Sequence, residues 1–520
     1  MARDMVQVRR PPGRQFERPE ARVGRSQFDR SHGVKTTFDA SQLIPILVDE
    51  VLPGDTFTCK LTGFARIFSP LDAPVMDNIE LETCFFFVPT RLVWDNWEAF
   101  NGAHDAAGAQ DTDYTIPVIG SGFTVDENDI AAYMGIPIGL STTSVSVNSL
   151  PFRAYGLIYN EWFRDQNVID PVGVATDDGP DTGGSEAQIG TPLKSAKKHD
   201  YFTSSLPYLQ KGDPVTVAIG TSARINFDGA EGAEIGIYST VESDERAMDS
   251  DMTRLHLSSI ASIPSALMYA DLTQATGVSI NALRESVAIQ RLLERDARGG
   301  TRYVELIKAH FGVTSPDFRH QRPEYLGGGK SYINIAPVAN TSATATEDQG
   351  ELRAFGTGVV RGHGWAKSFT EHGYVIGLVR ARGDLSYFQG LDRMWSRSTR
   401  YDFYIPALAQ LGEQSILNKE LYVSNDSNDD LVFGYQERWA EYRTKKSMIT
   451  GKVNPDATGA LSHWHLAEDF ASLPSLNQTF IEDATPMARV TTVDTEPDFV
   501  FDCWFDYKCA RPLPVYSIPS

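Results

Sequence analysis

The sequence predicts a mainly β fold: one sandwich or barrel domain with long inserted loops and several short helices. Three observations lead to it. Runs with the two-residue strand period lie near both ends of the 520-residue chain, with Gly and Pro at their borders. Between them lie helical patterns and long polar stretches, with no internal repeat. Strands at opposite ends of the chain must pair with each other to be covered. One domain with large insertions therefore fits better than the several domains that length alone suggests.

Taken in order, residues 1–40 read as an extended basic arm, with Pro11, Pro12 and Pro19, many arginines and little apolar periodicity. Residues 41–520 form the single domain. Its first clear strand is Asp55–Ser69, where Phe57, Cys59 and Leu61 alternate with Thr58, Lys60 and Thr62. Ile79–Val88 is the second. Its Phe85–Val88 run has lost alternation, as where both faces of a strand are covered, and Pro89 stops it. Short helices are expected at Leu92–Phe100 and Pro151–Asp165. Residues 170–192 read as loop, and 215–219 and Glu234–Tyr238 as short β-like runs. A hydrophilic stretch, Glu242–Asp251, separates these from Leu255.

The clearest helix is Ile280–Arg298, capped by Ser279 and ended by Gly299-Gly300. Ile280, Leu283 and Val287 share one face and Ala282, Ile289 and Leu293 nearly the opposite one, so the pattern calls for packing on both sides. Tyr303–Phe311 is a further helix closed by Gly312. Gly373–Tyr387 and Asp498–Lys508 return to the strand period and should share one barrel with Asp55–Ser69 and Ile79–Val88.

The net charge of −21 opposes broad contact with nucleic acid by the body of the chain. The arm is the exception: its arginines, Arg9, Arg10 and Arg14 among them, suit phosphate or intersubunit contacts. Cys59, Cys84, Cys503 and Cys509 form no CxxC pair and read as reduced thiols of a protein made in a cytoplasm. No secretory signal and no membrane span are expected.

Motifs for chemistry are weak. His463-x-His465 would share a face on a strand but lacks a third metal ligand. His363 and Glu371-His372 have no nucleophile elbow or HExxH beside them. Gly356-x-Gly358 with Gly362 has the wrong spacing for a phosphate loop and reads as turn glycines. Asp426, Asn428, Asp430 and Glu437 fall at calcium-loop positions, but Leu431 stands where that loop needs Gly. No catalytic residue, metal or cofactor is expected. A carbohydrate-binding or phage-fibre module and a β-sandwich glycosidase are the competing readings, and neither has a positive signal.

Several strings resemble the major capsid protein of gokushovirus-type microviruses, single-stranded-DNA bacteriophages. They include Phe86–Glu98, Tyr159–Asn167, His199–Ser204, Glu294–Tyr303, Gln321–Gly328, Met394–Asp402 and Lys508–Ser517. The resemblance implies an eight-stranded jelly-roll barrel and a T=1 icosahedral capsid around single-stranded DNA. It implies as partners further copies of the chain, an internal scaffolding protein, a pilot protein and a small basic DNA-binding protein, with assembly in the bacterial cytoplasm. It also implies a surface insertion at the threefold axes. The familiar strings fade between about Asp213 and Tyr269, which places that protrusion at about 220–263. Glu231, Glu234, Glu242, Asp244 and Glu245 are its candidate contacts with a bacterial receptor.

Overall fold

The computed structural model describes residues 24–103, 114–120, 122–181, 190–213, 215, 224–227, 235–239, 244–250, 255–258, 266–271, 280–300, 302–313, 321–342 and 349–515. The chain divides into two compact units, Met1–Pro207 with Pro316–Ser520, and Tyr208–Ser315. In chain order the strands are β1 (Ser26–Asp29), β2 (His32–Phe38), β3 (Ile44–Val51), β4 (Thr56–Ile67), β5 (Ile79–Pro89), β6 (Arg224–Phe227), β7 (Ile235–Ser239) and β8 (Asp244–Ser250). There follow β9 (Leu255–Ser258), β10 (Ala266–Asp271), β11 (Glu324–Ala339), β12 (Leu352–Ser368), β13 (Gly373–Gly383), β14 (Glu413–Leu417), β15 (Val432–Glu437) and β16 (Phe499–Arg511).

The larger unit is built on a curled antiparallel sheet of the jelly-roll kind. Its order is β1-β16-β4-β12-β11-β5-β13-β3, with β2 also paired to β16. The four strands expected from periodicity are β4, β5, β13 and β16, all in this sheet. The ends of the chain meet as the pattern requires: Phe499 lies opposite Ile67 and Ala510 opposite Thr56.

Curling encloses one core. Phe57 stacks on Tyr507 at 5.0 Å between centroids, and Phe85 meets Phe505 edge-on at 6.3 Å. The lost alternation of β5 has the expected cause. Phe85 and Phe87 face this inner core, while Phe86 and Val88 face a second core outside the sheet. β13 is split the same way: Val375 and Val379 point inward, Tyr374 and Ile376 outward. Helix Leu150–Ile158 covers the outer side with Phe152, Tyr155 and Ile158, and Pro151 sits in its first turn, where a missing N–H costs nothing. The expected Pro151–Asp165 helix therefore ends early, passing into a π-turn at Tyr159–Phe163. The expected Leu92–Phe100 helix is two short turns, Thr90–Leu92 and Trp97–Phe100.

Three further expectations are corrected. The sequence places residues 24–40 in the arm, but β2 is hydrogen-bonded to β16 and Phe38 is buried. Its partner strand lies some 460 residues away, so no local signal marks it. Gly356 and Gly358 are interior to β12, not turn residues. A Cβ on Gly356 would lie 2.4 Å from Ile67 Cδ1, so the core side chain occupies the space the glycine leaves. The Glu242–Asp251 stretch contains β8, paired to β7 and β9.

The second unit holds a five-stranded sheet, β6-β10-β7-β8-β9. The insertion expected at about 220–263 falls inside it, and the unit continues to Ser315. The helices Ile280–Arg298 and Tyr303–Phe311 are where the periodicity puts them. Gly299 permits their close approach, since a Cβ there would sit 2.7 Å from Ala309 Cβ. His310 Nε2 and Asp296 Oδ1 join them at 2.5 Å. The packing on both sides expected for the long helix is not met among the described residues: Ile280, Leu283, Val287 and Ile289 remain exposed. Amphipathic pattern reports that a face wants cover, not that the same chain supplies it.

Candidate functional site

The residues that could carry chemistry are used structurally. His363 comes from β12 into a polar bridge between strands, Nδ1 2.7 Å from Thr83 Oγ1 on β5 and Nε2 3.1 Å from Ser331 Oγ on β11. Burial holds its imidazole below the ordinary value. Gly329 makes the bridge possible, because a Cβ there would lie 2.5 Å from the ring. His463 and His465 lie at a 3-10 turn, not on a strand. His463 Nδ1 faces Arg489 O at 2.8 Å, while His465 Nε2 faces Val453 O at 3.0 Å. The two rings are thus committed to different backbone groups. Glu371 pairs with Arg91 at 2.7 Å, and His372 packs edge-on against Trp97.

The acidic turn at Asp426–Asp430 satisfies itself. Asp426 Oδ1 accepts from Asn428 N and Ser424 Oγ, both at 2.8 Å, and Asp430 pairs with Lys419 at 2.6 Å. Glu437 is engaged by Arg443. Among the described residues no group of three or more His, Cys, Asp or Glu is placed to hold a metal. Burial pushes the thiols of Cys59, Cys84 and Cys503 up to about 12, so these are not reactive thiolates.

Buried ion pairs instead tie a helix to its neighbouring loops and one strand of the sheet to the next. Arg153, fully buried, donates to Asp181 Oδ1 and Oδ2 at 2.5 and 2.9 Å, and to the carbonyls of Val93 and Asp177. Glu82 on β5 accepts from Arg380 at 2.5 Å and Arg382 at 3.3 Å on β13. Burial opposes the charge on Glu82, but the two guanidiniums hold its carboxyl below the usual range.

The surface carries the features that remain unexplained within one chain. Around residues 391–411 a group of large apolar side chains is exposed, Trp395 by 70% and Tyr401 by 66%, with Phe403, Tyr404 and Leu411 nearby in sequence. Tyr404 meets Trp439 edge-on at 5.6 Å, and the Arg397 guanidinium lies 4.4 Å from the Tyr442 ring centre. Monomers rarely leave such patches uncovered. A second surface is the outer face of β2, β16, β4 and β12, where Phe64 and Trp504 stand exposed. The alternation of β16 puts Trp504 in the outward phase of a half-buried strand, while only strand pairing sets it beside Phe64.

Of the residues expected to bind partners, Arg9, Arg10, Arg14, Glu231, Glu234 and Glu242 lie outside the described residues. Asp244 and Glu245 begin β8 in the smaller sheet. No helix among the described residues is long and apolar enough to cross a membrane.

Comparison with known proteins bears on the whole chain. Residues 17–520 match the family described as capsid protein (F protein). The chain is 46% identical to the capsid protein VP1 of Bdellovibrio phage phiMH2K, the match covering 96% of each chain. It is 40% identical to the capsid protein VP1 of Chlamydia phage 1 across 97% of each. With the capsid protein VP1 of Spiroplasma virus 4 the identity is 32%, over 96% of this chain and 95% of the other.

Proposed function

The chain belongs to the phage capsid protein (F protein) family in its gokushovirus-type branch, and from that premise we propose that it forms a T=1 icosahedral shell enclosing single-stranded DNA. It is a structural component of the virion, not an enzyme. The observation that carries the proposal is the aromatic surface around residues 391–411, which a lone chain leaves in water and a shell would cover with neighbouring copies. Microscopy of the purified chain tests it. Closed particles of uniform diameter are expected; persistent monomers under all assembly conditions would refute it.

The finer parts of the reading rest on charge and placement. An acidic chain of net charge −21 gains from basic partners between itself and a genome, which fits a small basic DNA-binding protein. An internal scaffolding protein and a pilot protein complete the proposed set. The arm is proposed to face the interior or run between subunits. Changing Arg9, Arg10 and Arg14 to Ala should lower DNA content or particle yield, and unchanged values for both would remove any such role.

The insertion at about 220–263 is proposed to project outward and mediate attachment to a bacterial receptor. Glu242, Asp244, Glu245, Asp249 and Asp251 make an acidic stretch that is costly to bury without partners, which favours a surface. Shortening the chain between Gly229 and Ser250 should leave particles intact and abolish adsorption. Normal adsorption would show the segment to be dispensable.

A further inference from the structure

The outward residues of β2, β16, β4 and β12 differ in charge from the rest of the chain. Lys35, Lys60, Arg66, Arg361 and Lys508 are exposed there, against Asp502 and Asp506. The chain as a whole carries 68 acidic and 47 basic side chains, so this face reverses the balance. Lys508 is paired with Asp506 at 3.1 Å. Among the described residues Lys35, Lys60 and Arg361 have no carboxylate within ion-pair distance.

Aromatic rings stand between these cations. Phe64 on β4 lies opposite Asp502 on β16 and Val359 on β12. Trp504 lies opposite Thr62 on one side and Gly33 on the other. A Cβ at Gly33 would lie 3.4 Å from the indole, an ordinary contact, so the ring packs directly beside the backbone of β2. Phe64 and Trp504 are diagonal neighbours on adjacent strands, within about 7–8 Å. Arg66 rests 5.2 Å from the centre of the Phe64 ring. Phe64, Trp504, Val359, Lys35 and Arg361 line a groove of about 770 Å³, and Arg66 stands next to it on β4.

We propose that this face binds single-stranded nucleic acid without sequence preference, its cations taking phosphates and Trp504 and Phe64 stacking on bases. A sheet that presents aromatic faces among cations is one way proteins hold unpaired strands, because every base offers a π-face and every linkage a charge. The chain's own arm is an unsuitable occupant, since its arginines carry the same sign as the face. An acidic protein would satisfy the cations but leave the two rings without a reason to stand outward among them. This inference rests on the genome-enclosing reading and gives it a location.

The test uses the full-length chain and a fluorescein-labelled oligo(dT), with anisotropy measured across a salt series. Arg66→Gln with Arg361→Gln should weaken binding and reduce the slope of log K against log salt by about 1.4, or about 0.7 for each lost phosphate contact on a single strand. Trp504→Ala should weaken binding about 5- to 100-fold, while Trp504→Phe retains most of it. Lys452→Gln, an exposed cation elsewhere, should change neither affinity nor slope. Cross-linking of bromodeoxyuridine oligonucleotide to the unmodified chain gives a check that needs no variant, with cross-links expected on the Phe64 and Trp504 peptides. Wild-type affinity and slope in the double-arginine variant, or cross-links confined to other peptides, would overturn the proposal. So would variants that bind oligo(dT) normally but fail to form particles, which would assign the face to protein contacts. Particle formation is scored separately by microscopy, so a wild-type chain that binds oligo(dT) but forms no shell counts against the shell reading alone.

Discussion

Tyr507 on β16 donates its hydroxyl to Asp49 Oδ2 on β3 over 2.9 Å, although the two strands lie near opposite ends of the sheet order. Arg30 reaches the same carboxylate through its two terminal guanidinium nitrogens, at 2.5 and 2.9 Å. The curl of the sheet is therefore closed by side chains where the backbone ladder stops. Burial and the neighbouring Asp49 charge raise the Tyr507 hydroxyl well above its ordinary value, so it remains a donor at any working pH. Asp49→Ala strands a buried hydroxyl and should cost about 2–3 kcal/mol, whereas Tyr507→Phe leaves Arg30 on Asp49 and should cost about 1 kcal/mol. Urea unfolding of the unassembled variants checks the order, and equal midpoints would contradict this account of closure.

Arg153 and Asp181 form an ion pair with almost no access to water. Arg153→Ala should cost about 3–5 kcal/mol, because Asp181 is left as a buried, unmatched charge. Replacing both with apolar residues of similar volume should cost clearly less than the single change. Thermal unfolding of the three proteins decides it; a double variant as unstable as the single one would show that shape rather than charge matters at this site.

Gly356 should reject any side chain while Ile67 is present. Gly356→Ala places a methyl into the Ile67 side chain and should cost about 1–3 kcal/mol by overpacking. Ile67→Val should recover part of that loss in the double variant, although it destabilises when made alone. Additive losses in the double-mutant cycle would argue that the two positions are not coupled.

Asp498 supplies a pH test. Burial pushes its carboxyl up to about 6, against the N–H of Ala40 that it accepts at 2.9 Å and helped by nearby Asp39. The folded state thus holds this proton more tightly than the unfolded chain does. Ionised Asp498 disfavours folding above about pH 6, and that disadvantage is removed as pH falls from about 6 toward 4. Asp498→Asn should stabilise the chain at pH 7 and make little difference at pH 4. A stability difference between variant and wild type that does not change across this window would exclude the assignment.

Local sequence determined more of the scaffold than of its surface chemistry. The strand period of β4 and β16, the unalternating Phe85–Val88 run and the Gly-ended helix at Ile280–Arg298 are signals carried within a dozen or so residues; each names an element, and for the strands also the faces that are buried. β11 and β12 could not be read that way. Their glycines look like loop until strand pairing sets Ile67 of β4 and Ile333 of β11 against Gly356, and His363 of β12 against Gly329. β2 was hidden for the same reason, since its partner β16 lies at the other end of the chain. The cation-and-aromatic face existed in the sequence only as scattered residues on four strands. Periodicity states which side of a segment is covered; only the tertiary structure, by fixing register between distant strands, decides which residues stand together on the side left open.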